Sequence, residues 1–244
     1  MRHVRLFSPK TIAPHGEIEL GAFEANYVSR VLRLKPGNML IVFDGNGGEY
    51  EAEFLSANRN SLRLAVGQHH FTERESGLEL ILAQGISRGD RMDIAVQKST
   101  ELGVARITPI LTSRSTVRLD SAQEKKRQAR WQSIAVNACQ QCGRNRVPDI
   151  ETPQEFSAWI GGLDEHGVKL ILRPGAVAPL ARANTTDRKI TLLIGPEGGF
   201  DAREIATAQV AGFEAVSLGP RILRTETAAI AALSILQATL GDFT

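Results

Sequence analysis

The stretch Leu192-Leu193-Ile194-Gly195-Pro196-Glu197-Gly198-Gly199-Phe200 constrains this chain more than any other. Three aliphatic residues run into a turn holding three glycines. A helix start follows at Asp201, with Glu204 three residues on, where a capping-box partner belongs. Glycine lets a backbone approach a flat ligand and adopt positive φ without steric cost. Strand, glycine turn and helix start together describe a small-molecule site at the carboxyl edge of a sheet. A second such loop lies close behind. Ala215-Val216-Ser217-Leu218 reads as a short strand ending at Gly219-Pro220, followed by Arg221 to Thr227 and an apolar run from Ala228 to Leu240. Thr225 suits the N-cap of that last helix. Two such loops at one end of a sheet can grip a ligand from both sides.

A chain of 244 residues fits one large domain or two modest ones. No apolar run approaches the ~20 residues needed to span a bilayer, and Met1 to Phe7 opens on no long apolar segment. A soluble, cytoplasmic protein without membrane contact is expected. The net charge of +2 argues nothing about nucleic acid, but its distribution does. From Ser113 to Arg146 there are eight bases (Arg114, Arg118, Lys125, Lys126, Arg127, Arg130, Arg144, Arg146) against Asp120 and Glu124, a local excess of six. Such a concentration suits a phosphate backbone, and equally a solvated helix face.

Cys139 and Cys142 form a C-x-x-C, but no further cysteines or suitably spaced histidines complete a zinc site. The pair follows a helical run rather than opening a helix after a strand, so helix-packing cysteines and no metal are expected.

The first seventy residues have their own texture. Short β-like runs at Met39–Phe43, Glu49–Leu55 and Ser61–Val66 are separated by turn signals, with a short helix at Tyr27–Leu34. This predicts a small β-rich module over 1–70, most simply a barrel, with a linker at Gln68–Gly77. From Leu78 onward β and α alternate. Strands are expected at 79–83, 106–111, 169–172, 190–194 and 215–218, and helices at 91–102, 123–141, 153–161, 202–211 and 225–240. That pattern is a parallel sheet covered on both faces. Trp131, Ile134, Ala135, Ala138 and Cys142 recur at helical spacing and read as core.

The fingerprints of other chemistries are missing. There is no G-x-G-x-x-G in a first βα turn, no G-x-x-x-x-G-K-[ST] and no G-x-S-x-G. What remains is a ligand held mainly by backbone groups of carboxyl-terminal loops, beside a basic surface. A non-catalytic RNA-binding protein and a nucleotide-dependent oxidoreductase are two readings of such an arrangement, the second weakened by the missing fingerprint.

Five separated motifs narrow the choice. Ser87–Asp93, Gln97–Val104, Gln141–Pro148, Ile194–Phe200 and Leu218–Thr227, in that order, together resemble the RsmE family over nearly the whole chain. The family consists of SPOUT-superfamily methyltransferases that use S-adenosylmethionine on N3 of a uridine in small-subunit ribosomal RNA. The chain departs from its pattern at Asn26-Tyr27, where relatives often carry histidine. The resemblance implies an α/β fold in two parts: a PUA-like β-barrel over 1–70, and a SPOUT-type domain over 77–244 with a trefoil knot. It also implies a homodimer and, as partner, small-subunit ribosomal RNA within an assembled small subunit.

The cofactor site implied by the resemblance takes in Leu172, Gly195, Pro196, Glu197, Gly199, Leu218, Gly219, Ile222, Leu223, Arg224 and Thr227. Arg224 is the first candidate for stabilising a uracil anion, because a guanidinium stays charged; its alternative is a pair with Glu226. Asn145, between Arg144 and Arg146, is the candidate for the uracil edge. Glu197 either accepts a proton or holds the loop. Arg2, Arg5, Arg30, Arg33, Arg114, Arg144 and Arg146 are the expected RNA contacts, although over residues 1–70 seven acids balance eight bases. Lys98 and Glu101, one helical step apart, have the spacing of a surface pair.

Overall fold

The computed structural model describes residues 4–182 and 185–243. Among these the chain divides into two compact units: residues 1–75 with 139–147, and residues 76–138 with 148–244.

The first unit is a five-stranded sheet of β1 (Arg5–Phe7), β2 (Glu17–Leu20), β3 (Met39–Phe43), β4 (Glu49–Ala57) and β5 (Leu62–His70). The strands lie in the order β1-β3-β4-β5-β2. All pairings are antiparallel except β1 with β3. Alternation sends Leu40 and Val42 of β3, Ala52 and Phe54 of β4, and Leu62, Leu64 and Val66 of β5 into one core. Each aliphatic side chain buried there stabilises the unit by about 1.5–3 kcal/mol. The expected strands are present, with β5 running on to His70, so the linker begins later than Gln68. The expected barrel is a sheet wrapped on its core, with β1 and β2 at the two ends of the hydrogen-bonded path. Tyr27–Leu34 is not one α-helix. A short α1 (Ala22–Asn26) passes into a π-helical turn at Tyr27–Val31, and Arg33 sits at φ +55°. β1 and β2 have too few apolar residues to stand out in sequence.

The last turn of a helix belongs to this unit. Residues 139–147 bring Gly143, Arg144, Asn145 and Arg146 against Arg5, Glu49 and the 72–75 segment. Arg5 pairs with Glu49 and donates to Asn145 Oδ1, while Asn145 Nδ2 donates to Thr72 O. Arg74 reaches Glu49 at 3.3 Å and Gly143 O at 2.9 Å. Arg144 is bidentate on Glu75, at 2.6 Å and 3.1 Å. Arg144 and Asn145 are 4% and 0% exposed. Burial of the Arg144 charge is tolerable because Glu75 opposes it, and burial of the neutral Asn145 amide because both its ends are hydrogen-bonded.

The second unit is a parallel sheet of eight strands among the described residues: β6 (Glu79–Gly85), β7 (Arg106–Leu111), β8 (Asp149–Ile150), β9 (Gln154–Glu155), β10 (Val168–Leu172), β11 (Ala178–Pro179), β12 (Lys189–Ile194) and β13 (Glu214–Ser217). Its order is β11-β13-β10-β12-β6-β7-β8, with β9 also on β7. The helices are α2 (Arg91–Glu101), α3 (Ser121–Cys142), α4 (Phe156–Gly161), α5 (Ala202–Val210) and α6 (Thr225–Leu240). Ala83, Ile171 and Leu193 face a core with Phe156, Trp159 and Phe213. β12 is buried from Ile190 to Ile194, as a strand covered on both faces requires. α6 packs on α2 and on β12. The three two-residue strands escaped notice because no periodicity exists over two residues. No helix among the described residues is long and apolar enough to cross a membrane.

The ion network of the first unit makes its stability depend on acid. Burial raises the Glu49 carboxyl, but hydrogen bonds and charge from Arg5 and Arg74 outweigh it, so the pKa is lowered overall. The stabilisation is therefore present above the unfolded pKa of about 4.3 and is lost as the pH falls through the folded value. Glu49→Gln leaves Arg5 buried without its anion and is expected to cost about 3 kcal/mol at neutral pH. In thermal melts the gap between wild type and variant should close below about pH 4; a gap constant with pH would refute the pairing as its source.

Candidate functional site

The carboxyl ends of three adjacent strands, β13, β10 and β12, converge on one cavity of about 630 Å³. Ligand cavities commonly fall at about 300–1,000 Å³. Ile171 to Pro174 follow β10, Ile194 to Phe200 follow β12, and Leu218 to Thr225 follow β13. Leu172, Leu218, Ile222 and Leu223 supply apolar wall.

The glycines of both loops are needed for different reasons. Gly195 has no room for a Cβ, which would come within 3.1 Å of the Gly199 backbone. Gly199 and Gly219 lie at φ +66° and +98° with open space where a side chain would stand. Backbone at these two points is thus bare toward the cavity. The turn is closed by Gly199 N–H donating to Pro196 O at 2.9 Å. Asp201 caps α5, and the reciprocal Asp201–Glu204 bonds form the expected capping box at 2.8 Å and 2.9 Å. Glu204 also accepts from Ser113 N–H at 2.7 Å, fastening the loop to the chain beyond β7.

The two loops are tied through one hydroxyl. Thr225 Oγ1 donates to Gly195 O at 2.7 Å and accepts from Gln84 Nε2 at 2.8 Å. Gln84 and Thr225 are 1% and 6% exposed. Thr225 is therefore not the N-cap: Arg224 occupies that position, without a side-chain cap, and Thr225 spends its hydroxyl on the neighbouring loop. Pro196 closes the same corner, where a Cβ on Gly85 would meet it at 2.4 Å.

Glu197 is a clamp. Its Oε1 accepts from Arg88 N–H at 3.1 Å and Arg91 Nη1 at 2.6 Å. Burial raises its pKa, but the backbone N–H groups and Arg91 lower it by more, so the carboxylate stays ionised. A depressed pKa suits holding the loop and makes a poor proton acceptor. Arg224 lines the cavity, is exposed, and forms no ion pair among the described residues; Glu226 is buried and not its partner. Arg114 Nη1 donates to Gly198 O at 3.1 Å, making this expected RNA contact also part of the cavity wall.

Every expected cofactor residue lines the cavity except Thr227, which is exposed on α6. Asn145 does not line it. Its side chain accepts from Arg5 and donates to Thr72 O, both in the first unit. Arg144 is buried and paired with Glu75, and Arg5 is partly buried and paired with Glu49. Arg30, Arg33 and Arg146 are exposed, Arg146 being 3.8 Å from Glu73. Arg2 lies outside the described residues. Lys98 and Glu101 do form a pair, at 2.8 Å. Cys139 is buried, and burial pushes its thiol up to about 12, which keeps it an inert packing group. No group of three or more metal-ligating side chains occurs among the described residues.

Sequence reading missed Arg91, Arg173, Arg221 and Thr225 as cavity residues. Arg91 and Arg221 stand inside quoted motifs and could have been suspected. Arg173 follows a strand with no local mark.

The chain matches an RNA methyltransferase domain over residues 74–237 and an RNA methyltransferase PUA domain over residues 24–67. It is 34% identical to the ribosomal RNA small subunit methyltransferase E of Buchnera aphidicola over 225 residues, 92% of each chain. A Legionella pneumophila structure solved in complex with the cofactor SAM superposes with a TM-score of 0.95 and 39% identity, covering 100% of both chains. A ribosomal RNA small subunit methyltransferase E from Neisseria gonorrhoeae, bound to S-adenosyl methionine, gives 0.92 and 35%, again over 100% of both.

The hydroxyl of Thr225 is testable alone. Thr225→Val keeps the shape but strands a buried Gln84 donor and the Gly195 carbonyl, at a cost of about 1–3 kcal/mol. Thr225→Ser should recover most of it in chemical denaturation. If valine and serine behave alike, the bridge is not what joins the loops.

Proposed function

The chain belongs to the ribosomal RNA small subunit methyltransferase E family, and from that premise we propose that it moves the methyl group of S-adenosylmethionine to N3 of a uridine in small-subunit ribosomal RNA. The observation that carries this reading is the pair of bare turns at Gly199 and Gly219 closing on one cavity. Flat purine and ribose surfaces fit against backbone that no side chain shields, between Leu172, Leu218 and Leu223. The family's cofactor therefore suits the residues present.

When bound, S-adenosylmethionine supplies an already activated methyl carbon. The protein needs no metal for that step; its task is alignment and charge. The N3–CH₃ bond forms as the carbon–sulfur bond breaks, and the N3 proton leaves to solvent. Uracil N3 is a weakly acidic imide, so a fixed cation that favours the anion lowers the barrier. Arg224 takes that role, being at the cavity, charged and unpaired. Glu197 keeps the Gly195–Gly199 loop in place through Arg88 and Arg91 rather than receiving the proton.

The finer expectations belong to the same proposal. β12 lies between β10 and β6, and the chain then returns beyond β10 before Thr225 reaches Gly195 and α6 packs on α2. This path is the one a trefoil knot would need. A homodimer, an assembled small subunit as substrate and action in the cytoplasm follow the family resemblance. Ile222, 85% exposed at the cavity rim, suits a cavity near a subunit interface.

Titration calorimetry should show S-adenosylmethionine binding and no response to NAD; the reverse would sink the assignment. Gly199→Val places a branched side chain in ligand space and on a positive φ, and should abolish detectable binding. Arg224→Ala should lower methyl transfer about a hundredfold or more while leaving cofactor affinity within about twofold. Equal losses in both would make Arg224 a binding residue only. Nucleoside mass mapping of RNA from a strain lacking the protein, before and after treatment with it, tests the modified position.

A further inference from the structure

We propose that a basic trough, running from the cofactor cavity to the amino-terminal half of α3, carries the phosphodiester chain of the RNA strand that presents the target nucleotide. This rests on the proposed activity and adds to it where the strand lies.

Two further cavities extend the first one within the same unit. One, of about 460 Å³, shares Arg91 and Glu197 with the cofactor cavity and is also lined by Arg88, Gly89 and Asp90. The other, of about 610 Å³, shares Gly89 and Asp90 with that one and is walled by Arg118, Lys126, Arg127 and Arg130. The three therefore adjoin one another through shared walls.

The charges along the path are not self-neutralised. Arg91 is taken up by Glu197, and Arg130 grips Asp93 with Nε at 3.1 Å. What remains are Arg88, Arg118, Lys126 and Arg127, none of which forms an ion pair among the described residues. The walls also hold three carboxylates: Asp93 and Glu197, which pair with Arg130 and Arg91, and Asp90. A row of unpaired cations leading away from a nucleoside pocket is what a polyanionic strand requires. A single strand fits better than a duplex, because N3 lies on the pairing edge of uracil and must be exposed to react. The basic excess noted between Ser113 and Arg146 thus divides. Arg144, near its carboxyl end, is consumed by an internal ion pair, while Arg118, Lys126 and Arg127 line the trough.

The test uses the full chain with Arg118, Lys126 and Arg127 all changed to Gln, and a control with Arg59, Lys125 and Arg203 changed to Gln. The control cations are exposed, line none of the three cavities and remove the same charge. Binding of a fluorescein-labelled oligouridylate is measured over a salt series. Methyl transfer to small subunits lacking the modification and calorimetric S-adenosylmethionine affinity are measured alongside. Losing three single-strand phosphate contacts should reduce the slope of log K against log salt by about 2. The KM for the small subunit should rise about tenfold or more, with kcat and cofactor affinity held within about twofold. The control should keep the wild-type slope. An unchanged slope and KM in the trough variant, or equal losses in both variants, overturns the proposal. A wild type that transfers no methyl group but loses slope on trough substitution would count against the activity and for the trough.

Discussion

One side-chain hydroxyl, that of Thr225, holds together three segments that lie far apart in sequence. It bonds the carbonyl that opens the Gly195 turn and the amide of Gln84 at the end of β6, while its own backbone starts α6. Because Gln84 and Thr225 are buried from water, each would be left unsatisfied if the other moved. The cavity exists because this corner is fixed. The Gly195–Gly199 turn cannot swing without stranding Thr225, and the Leu218–Leu223 loop is anchored at its far end by the same bond. Glu197, gripped by Arg88 and Arg91, then holds the outer edge of the turn, and the Asp201–Glu204 box holds its exit.

Charge is put to opposite uses in the two units. In the first, Arg5 and Arg144 are matched to Glu49 and Glu75 and largely withdrawn from water, so they fasten residues 139–147 to the sheet. In the second, Arg118, Lys126 and Arg127, on and before the first turns of α3, form no ion pair among the described residues. The same residue type thus serves cohesion in one place and attraction in the other, and only the presence or absence of a nearby carboxylate distinguishes them.

The division between what could be read and what could not follows this physics. The strands β3, β4, β6, β7, β10 and β12 and all the long helices announce themselves through apolar periodicity and turn residues, signals that reside in short windows. The Gly195 and Gly219 loops were legible because φ and close approach are local demands that glycine alone meets. The internal bonds of Asn145 and Arg144 were not legible for the complementary reason. Their flanking sequence, rich in arginine, looks like a nucleic-acid surface, and the groups they bond, Glu75 for Arg144 and Arg5 and Thr72 for Asn145, are about seventy or more residues away. β1, β2 and the two-residue strands exist through pairing with neighbours rather than through any preference of their own.

Sequence alone determined which segments bury apolar faces, where the backbone had to be glycine, that two such turns stand at one end of a parallel sheet, and which family the motifs resemble. Those are properties of dihedral freedom and periodicity, set within a few residues. Tertiary structure decided which charges are spent and which are free, that Thr225 is a bridge rather than a cap, that Glu197 is a clamp, and that Arg91 and Arg173 share a wall with the glycine loops. Those depend on distances between groups remote in the chain, and a hydrogen bond or ion pair has no meaning until folding has set its length.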